Sequence, residues 1–246
     1  MKTPGLSFAV RSIVLAAGLV WFSLQSAFAQ ATPKLYSVAR EDARLRELSA
    51  TSGATISSVT MTLTGRSITG ATGLAADPTT GKFYALLRLQ PFAAEHPSVR
   101  QLVTVDVTTG VVTDIGSTGG SGNLSFADLA FDASGVLYGV TGDGSPSLPR
   151  ALFTLNKGTA AATFFMALGN GDDGESIAYN SDNSLLYHAS GKNELSLVPA
   201  PANMFFESIN LATKAAPTRI TLSGPFIDEA TALAYAGGGA FLWSSL

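Results

Sequence analysis

The feature that most restricts how this chain folds is an internal repeat of about fifty residues. Each copy consists of an apolar strand, a short turn rich in Asp, Asn or Gly, and a second apolar strand with an aromatic side chain. The copies read GLAADPTTGKFYAL at 73–86, DLAFDASGVLYGV at 128–140, SIAYNSDNSLLYHA at 176–189 and ALAYAGGGAFLW at 232–243. Their second-strand tyrosines, with one more near the start, are Tyr36, Tyr84, Tyr138 and Tyr187, spaced by 48, 54 and 49 residues.

A second pattern lies between these copies and adds two strands to each unit. Segments such as VDVTTG at 105–110 and INLATK at 209–214 end a strand in a turn, and a strand rich in Thr or Val follows. We label the four strands of a unit A, B, C and D, so that the chain reads BCD, ABCD, ABCD, ABCD, AB. Four-stranded units of this length are typical of β-propeller blades. The sequence therefore predicts an all-β fold, a β-propeller of about four blades or a fragment of a larger propeller.

The repeats also resemble those of a known group of proteins. Their LAFDPxTGxLYAV-like form is similar to the exported bacterial propellers of the YVTN and quinoprotein-dehydrogenase-like kind. The resemblance implies an architecture and a bacterial, exported origin, but no particular ligand. Asp77, Asp132 and Asn180 match the turn acid of that group, whereas Ala236 departs from it. We expect these residues to cap the A–B turns through backbone N–H groups.

The N-terminus has the pattern of a secretory signal peptide over residues 1–29. Lys2 and Arg11 flank an apolar stretch at 13–22, and Ala27-Phe28-Ala29 fits a cleavage site. An uncleaved anchor is the alternative. We therefore expect a propeller domain over residues 30–246 and a secreted or periplasmic location.

The strand order makes a prediction about closure. The first unit lacks strand A, so the last A strand, residues 231–236, is expected to lie beside the first B strand, residues 35–38. The final B strand is then surplus. Residues 39–48 have helix-forming composition, but the repeat predicts a loop and a strand there.

Composition excludes several classes of partner. Removal of residues 1–29 takes away two basic residues and no acid, leaving a net charge of −5. A nucleic-acid partner requires a basic patch, so none is expected. No segment after the signal peptide predicts a membrane span. The chain has no Cys, which excludes disulfides and thiolate metal sites. The partner expected is an unidentified protein, carbohydrate or small molecule.

One Gly-rich segment, GNGDDG at 169–174, resembles two kinds of binding loop. A dinucleotide site requires a strand before the loop and a helix after it, whereas a strand follows here. The segment offers oxygen ligands for Ca²⁺ but lacks the register of an EF-hand loop, so a polar turn is the favoured interpretation. No cofactor is evident, and Ca²⁺ is kept as an alternative.

The predicted blade geometry indicates where function lies. The A–B and C–D turns are short, whereas the B–C and D–A loops vary in length and share the opposite face. Strand A starts at that face, where candidate ligand-binding residues are Asp128, Glu175, Asp228, Glu229 and His188. Converging acids there would bind a cation such as Ca²⁺ or a polyhydroxylated ligand. The simpler interpretation has the acids capping strand starts towards solvent and His188 in a solvated loop.

The function expected is an exported binding or interaction module that uses the variable-loop face. The alternative is a propeller hydrolase, lactonase or lyase that acts on a small or carbohydrate-like substrate. A surface-layer component is a third possibility. The sequence favours binding over catalysis because ionisable residues are sparse, at 13% of the chain.

Overall fold

The computed structural model describes residues 34–90, 99–119, 124–142, 144–145, 147–168, 175–190, 205–220 and 230–245. Every regular element in these ranges is a β-strand. Over the same ranges, no helix has the length and apolar character needed to cross a membrane.

The strands form five antiparallel sheets, which we call blades 1 to 5. Blade 1 contains β1 (Leu35–Val38), β2 (Arg44–Leu48) and β3 (Thr55–Thr60). Blade 2 contains β4 (Ser67–Ala76), β5 (Phe83–Gln90), β6 (Gln101–Val105) and β7 (Val112–Ser117). Blade 3 contains β8 (Phe126–Phe131), β9 (Leu137–Thr141), β10 (Ala151–Leu155) and β11 (Ala162–Ala167). Blade 4 contains β12 (Glu175–Asn180), β13 (Leu185–Ser190), β14 (Phe205–Ile209) and β15 (Thr218–Arg219), and blade 5 contains β16 (Ala230–Gly237) and β17 (Ala240–Ser245).

This arrangement confirms the predicted β-propeller fold and its strand order. Blade 1 has the BCD strands, blades 2 to 4 have ABCD, and blade 5 has AB. The A strands β4, β8, β12 and β16 each contact the next one, as inner strands of a propeller do. Residues 39–48 form a turn followed by β2, as the repeat predicted.

The closure prediction is wrong. Strand β16 pairs with β17, and β1 pairs with β2. No ladder joins β16 to β1, although both strands are described. The first sheet therefore stays three-stranded, with β1 contacting β4 of the next blade. Strand β1 is therefore in contact with blade 2, through β4, and is not paired with β16.

Apolar layers between consecutive blades form the core. Alternate residues of a strand point to opposite faces, so each blade contributes one row of side chains to each neighbour. Between blades 3 and 4 the buried layer contains Tyr138, Val140, Leu152, Ile177, Leu186 and Ile209. Comparable layers lie between the other consecutive blades. Burial of these side chains, at roughly 25 cal/mol per Å² of apolar surface, is the main stabilising contribution.

The A–B turns have the predicted caps. The side-chain oxygens of Asp77, Asp132 and Asn180 accept the N–H group two residues further along, at 2.9, 2.9 and 2.8 Å. Where Ala236 replaces the acid, Gly237, Gly238 and Gly239 follow with positive φ angles of 92°, 60° and 79°. Glycine adopts these angles without steric penalty. The Gly239 N–H donates to the Tyr235 hydroxyl at 2.9 Å, so this turn is capped without an acid at position 236.

The C–D turns have caps of the same kind, at Asp106, Asn156 and Asn210. One turn also joins two blades, because Lys157 Nζ lies 2.8 Å from Oδ2 of the buried Asp77. Burial disfavours the Asp77 carboxylate, but Lys157 and Thr79 outweigh it and hold the pKa of Asp77 well below its usual range. The short turns thus form one rim. The strand ends that lead into the B–C and D–A connections form the opposite edge, which we call the loop rim.

Candidate functional site

Three ionisable side chains lie side by side in blade 4, close to the loop rim. Glu175 is the first residue of β12, while His188 on β13 and Glu207 on β14 are opposite one another in register. His188 Nε2 is hydrogen-bonded to Glu175 Oε2, and His188 Nδ1 lies 2.9 Å from Glu207 Oε1. All three side chains are fully buried. We call Glu175, His188 and Glu207 the polar row.

The polar row faces blade 3. Ile177, Leu186 and Ile209 belong to the same face of blade 4 and pack in the layer between blades 3 and 4. A Cβ atom at Gly142 of blade 3 would lie 3.8 Å from Glu175 Cγ. The polar row therefore continues the apolar layer towards the loop rim.

The charges of the row depend on one another. Burial disfavours the imidazolium of His188, but the carboxylates of Glu175 and Glu207 outweigh burial and raise the pKa of His188 to about 9. At neutral pH both ring nitrogens of His188 therefore donate hydrogen bonds. Burial raises the pKa of Glu175, against the opposing effects of His188 and Arg150.

Asp128 enters the same layer from blade 3. Its Oδ1 accepts the N–H of Leu129 at 2.8 Å, and its Oδ2 accepts the N–H of Ile177 in blade 4 at 3.0 Å. Burial raises the pKa of Asp128 to about 8, although these two N–H groups oppose the shift. Asp128 thus links the inner strands of two blades through a side chain.

Among the described residues, three buried oxygen atoms near this part of the loop rim have no hydrogen-bond partner. They are Glu175 Oε1, Ser190 Oγ and Ser145 Oγ. Ser190 is opposite Glu175 in register, and the Ser145 N–H bonds to the carbonyl of Gly142, the residue beside Glu175. An unsatisfied buried polar group costs about 1–3 kcal/mol. In blade 3, by contrast, Thr141 at the position of Ser190 donates to a backbone carbonyl.

The structure brings together some of the residues predicted to bind a ligand. Asp128, Glu175 and His188 lie in the layer between blades 3 and 4. Asp128 is not equivalent to Glu175, because the register aligns it with Ser176. Asp228, Glu229 and residues 169–174 lie outside the described residues.

Two of the simpler interpretations are wrong. His188 lies inside β13 and is buried, so it is not a solvated loop residue. Glu175, the first residue of β12, and Asp128, the third residue of β8, are buried and do not point to solvent. Among the described residues, no group of three or more His, Asp or Glu side chains has an arrangement that would hold a metal ion.

The sequence interpretation missed Glu207, Ser145 and Ser190. A signal for Glu207 existed in the repeat. Strand C reads LVTVD at 102–106, LFTLN at 152–156 and FESIN at 206–210, so Glu207 replaces an apolar residue. No comparable signal marks the serines, which are frequent in this chain.

The site combines a fixed carboxylate with hydroxyl groups. His188, held by Glu207, fixes one oxygen of Glu175 and leaves Oε1 to accept a hydrogen bond. The hydroxyls of Ser145 and Ser190 can donate or accept. The arrangement is suited to binding a group with several hydroxyls, or to removing a proton from one.

Comparisons with known proteins bear on the fold. No protein-family model matches the chain, and no curated protein sequence matches it. Its structure is similar to one from a nidogen/laminin complex, with a TM-score of 0.56, 11% identity, and 85% of this chain and 70% of the other covered. It is also similar to a gluconolactonase from Xanthomonas campestris, with a TM-score of 0.53, 12% identity, and 86% of this chain covered. The chain spans 65% of the gluconolactonase. At these identities the similarities show the β-propeller fold alone.

Proposed function

We propose that this protein is an exported β-propeller binding module for a small polyhydroxylated ligand. The ligand site lies at the loop rim between blades 3 and 4. The observation that carries the proposal is the group of unpartnered buried oxygens on Glu175, Ser190 and Ser145. A ligand that supplies their hydrogen bonds removes a penalty which the unliganded fold retains.

The charges around Glu175 favour a neutral ligand over a cation. The positive charges of His188 and Arg150 both act on the Glu175 carboxylate and favour its ionised form. The charge of the carboxylate is therefore already offset, so a further cation gains little. Hydroxyl groups donate to a carboxylate and both donate to and accept from serine hydroxyls. A sugar or polyol fits this combination.

Export is supported by the sequence pattern of residues 1–29, which lie outside the described residues. We expect the mature chain to begin near Gln30. N-terminal sequencing of protein recovered from the periplasm or medium tests this. Recovery of the full chain from the membrane fraction would contradict it.

Saturation-transfer NMR with D-glucose and other monosaccharides tests the ligand class. The test variant is S190A, which removes an unpartnered hydroxyl. The matched control is S176A, because the neighbouring Ser176 hydroxyl donates to the Ala189 carbonyl at 3.3 Å. We expect S190A to weaken saccharide binding about tenfold, the value of one hydrogen bond, without loss of folding stability.

The control should behave in the opposite way. S176A should lose stability and keep saccharide binding, because its hydroxyl serves the fold. The proposal fails if no monosaccharide gives a saturable signal. It fails equally if S190A binds as well as the unaltered protein, or if it unfolds more readily than S176A.

Hydrolysis is the second candidate function, and the raised pKa of Glu175 favours it. A carboxyl group with a raised pKa, held by a histidine, is suited to general-base catalysis. The gluconolactonase of similar fold suggests D-glucono-1,5-lactone as a probe. Hydrolysis above the uncatalysed rate that is lost in E175Q would support an enzyme. Saccharide binding without hydrolysis of the lactone would support the binding module and contradict the hydrolase.

A further inference from the structure

Glu207 lies on the opposite side of His188 from Glu175. Glu175 is on β12, His188 on β13 and Glu207 on β14, so the imidazole ring separates the two carboxylates. The C strands of blades 2 and 3 have the buried apolar residues Val103 and Phe153 at the matching position. Burial of an ionised carboxylate costs free energy that an apolar residue does not cost, so packing alone gives no reason for Glu207.

The polar row contains two hydrogen bonds, and each of them needs a proton. His188 Nδ1 lies 2.9 Å from Glu207 Oε1, and Nε2 is hydrogen-bonded to Glu175 Oε2. A neutral imidazole has one N–H group and one lone pair, whereas an imidazolium has two N–H groups. With both glutamates ionised, the two bonds exist together only while the ring is doubly protonated. Loss of one proton leaves a ring lone pair facing a carboxylate oxygen in the protein interior, where such a contact is unfavourable.

The surroundings of the ring favour its second proton. Burial opposes the imidazolium, but the two glutamates outweigh burial and raise the pKa of His188. Arg150 favours the ionised form of Glu175, and the carboxylate of Asp128 accepts two backbone N–H groups. Within the described ranges, the ionisable side chains around the row are Glu175, Glu207, Arg219 opposite Glu207 in register, Asp128 and Arg150 from blade 3, and the tyrosines Tyr138 and Tyr179 of the same layer. The negative charge beside Nδ1 is that of Glu207.

Given the ligand site proposed above, we propose that Glu207 is a positioning residue: it keeps His188 doubly protonated, so that His188 holds Glu175 Oε2 and Glu175 presents Oε1 to the saccharide. When the ring loses a proton, it keeps a single N–H group. In the tautomer with that group on Nδ1, no ring N–H holds Glu175. Saccharide affinity therefore has an upper pH limit, which a role of Glu207 in packing alone does not produce.

Ring-nitrogen NMR and saccharide binding together test this role in the full mature chain. The ring-nitrogen signals of the two histidines are followed without ligand from about pH 6 to 10. Saturation-transfer NMR measures monosaccharide affinity over the same range. The test variant is E207Q, whose amide oxygen can still accept the Nδ1–H but has no charge. The matched control is E47Q, which removes the same charge from blade 1, where Glu47 pairs with Lys34.

We expect the His188 ring of the unaltered protein to lose one proton near pH 9, and saccharide affinity to fall with the same midpoint. E207Q should lower both midpoints by about two pH units, because an adjacent opposite charge is removed. The affinity lost in E207Q should then be about tenfold greater near pH 8 than near pH 6. E47Q should leave both midpoints unchanged.

Equal midpoints in E207Q and E47Q would overturn the proposal, and so would an affinity that stays constant while His188 loses its proton. If E207Q does not fold, the second of these comparisons decides, since it uses the unaltered protein. Absence of saccharide binding at every pH contradicts the proposed function instead. A lowered His188 midpoint in E207Q then still supports the positioning of Glu175 by Glu207 through His188, and an unchanged midpoint overturns it.

Discussion

Blades 3 and 4 have equivalent strand registers but different kinds of side chain at three matching positions. The strand registers align the first A residue, a B residue and a C residue of each blade. In blade 3 these are Phe126, Gly139 and Phe153, and in blade 4 they are Glu175, His188 and Glu207. Both rows are buried, and each belongs to the face of its blade that packs on the preceding blade.

The two rows fill their space in different ways. Phe126 and Phe153 meet edge to face with ring centroids 5.4 Å apart. A Cβ atom at Gly139 would lie 2.8 Å from Phe126 Cδ1, so the ring uses the space that a side chain would fill. Blade 4 has hydrogen-bonded ionisable groups and an unpartnered carboxylate oxygen there. The fold requires only that the space be filled, so the polar chemistry of blade 4 points to function.

Removal of one member of the polar row should have the largest effect. In E207A, His188 loses its Nδ1 partner and a buried charge is left poorly compensated. We expect a loss of about 3–5 kcal/mol in the free energy of unfolding, measured in urea. The apolar counterpart F153A should lose a similar amount through its cavity, about 3–5 kcal/mol. A loss below about 1 kcal/mol in E207A would show that the row is not buried as described.

The second expected effect is a dependence of the free energy of unfolding on pH, which the ionisable groups between blades 3 and 4 produce and the apolar row of blade 3 does not. The pKa of His188 is raised to about 9 from 6.5, so its contribution is complete below about pH 6.5 and is lost as pH rises through 9. Asp128, with a pKa of about 8 against 3.8, acts in the same direction between about pH 4 and 8. We expect the free energy of unfolding to fall by several kcal/mol from pH 6 to 9, since both groups act in the same direction there. Urea melts across this range measure it, and a rising curve would contradict the assignment.

A smaller effect is expected at Asp128, which connects the two blades. In D128N an amide group replaces one carboxylate oxygen, so the bond from the Ile177 N–H or that from Leu129 is lost. We expect a loss of about 1–2 kcal/mol and a flatter pH profile between pH 4 and 8. The control is D132N in the A–B turn of the same blade, where asparagine caps equally well, as Asn180 does in blade 4. Equal losses in both variants would contradict the interblade role.

Exchange of the whole row should have the smallest effect on stability. The triple variant E175F, H188G, E207F gives blade 4 the row of blade 3. Replacement of a buried ionic group by packed apolar residues is neutral or stabilising by about 1–4 kcal/mol. We expect no loss of stability, a flatter profile above pH 6.5, and no saccharide binding. Retained binding would remove the polar row from the proposed site.

Much of the fold was predictable because the repeat encodes local structure. The order of strands and the caps at Asp77, Asp132 and Asn180 follow from turn chemistry within a few residues. Closure was not predictable in this way. The pairing of β16 with β17 follows the local repeat, whereas the predicted pairing of its other edge with β1 depends on how the blades pack, which no local pattern encodes.

The site was predictable only in part. Asp128 and Glu175 were recognised because the repeat predicts that they begin A strands, but their burial depends on the neighbouring blade. His188 was assigned to a loop because the apolar pattern of LLY at 185–187 ends before it, whereas β13 continues to Ser190. Its pairing with Glu207 requires the register between β13 and β14, which the intervening residues 191–204 do not reveal.

The sheets are simple meanders, so the hydrogen bonds within a blade do not depend on the contacts between blades. Among the described strands, every ladder joins two that follow one another in the chain, so a blade gains its ladder hydrogen bonds from short-range contacts, which form fast. The N–H of Ile177 meets Asp128 only when two blades have docked. The face of blade 4 that carries Glu175, His188 and Glu207 is likewise covered only when blade 3 packs on it. Loss of water from these three ionisable side chains therefore accompanies the packing of blade 4 on blade 3.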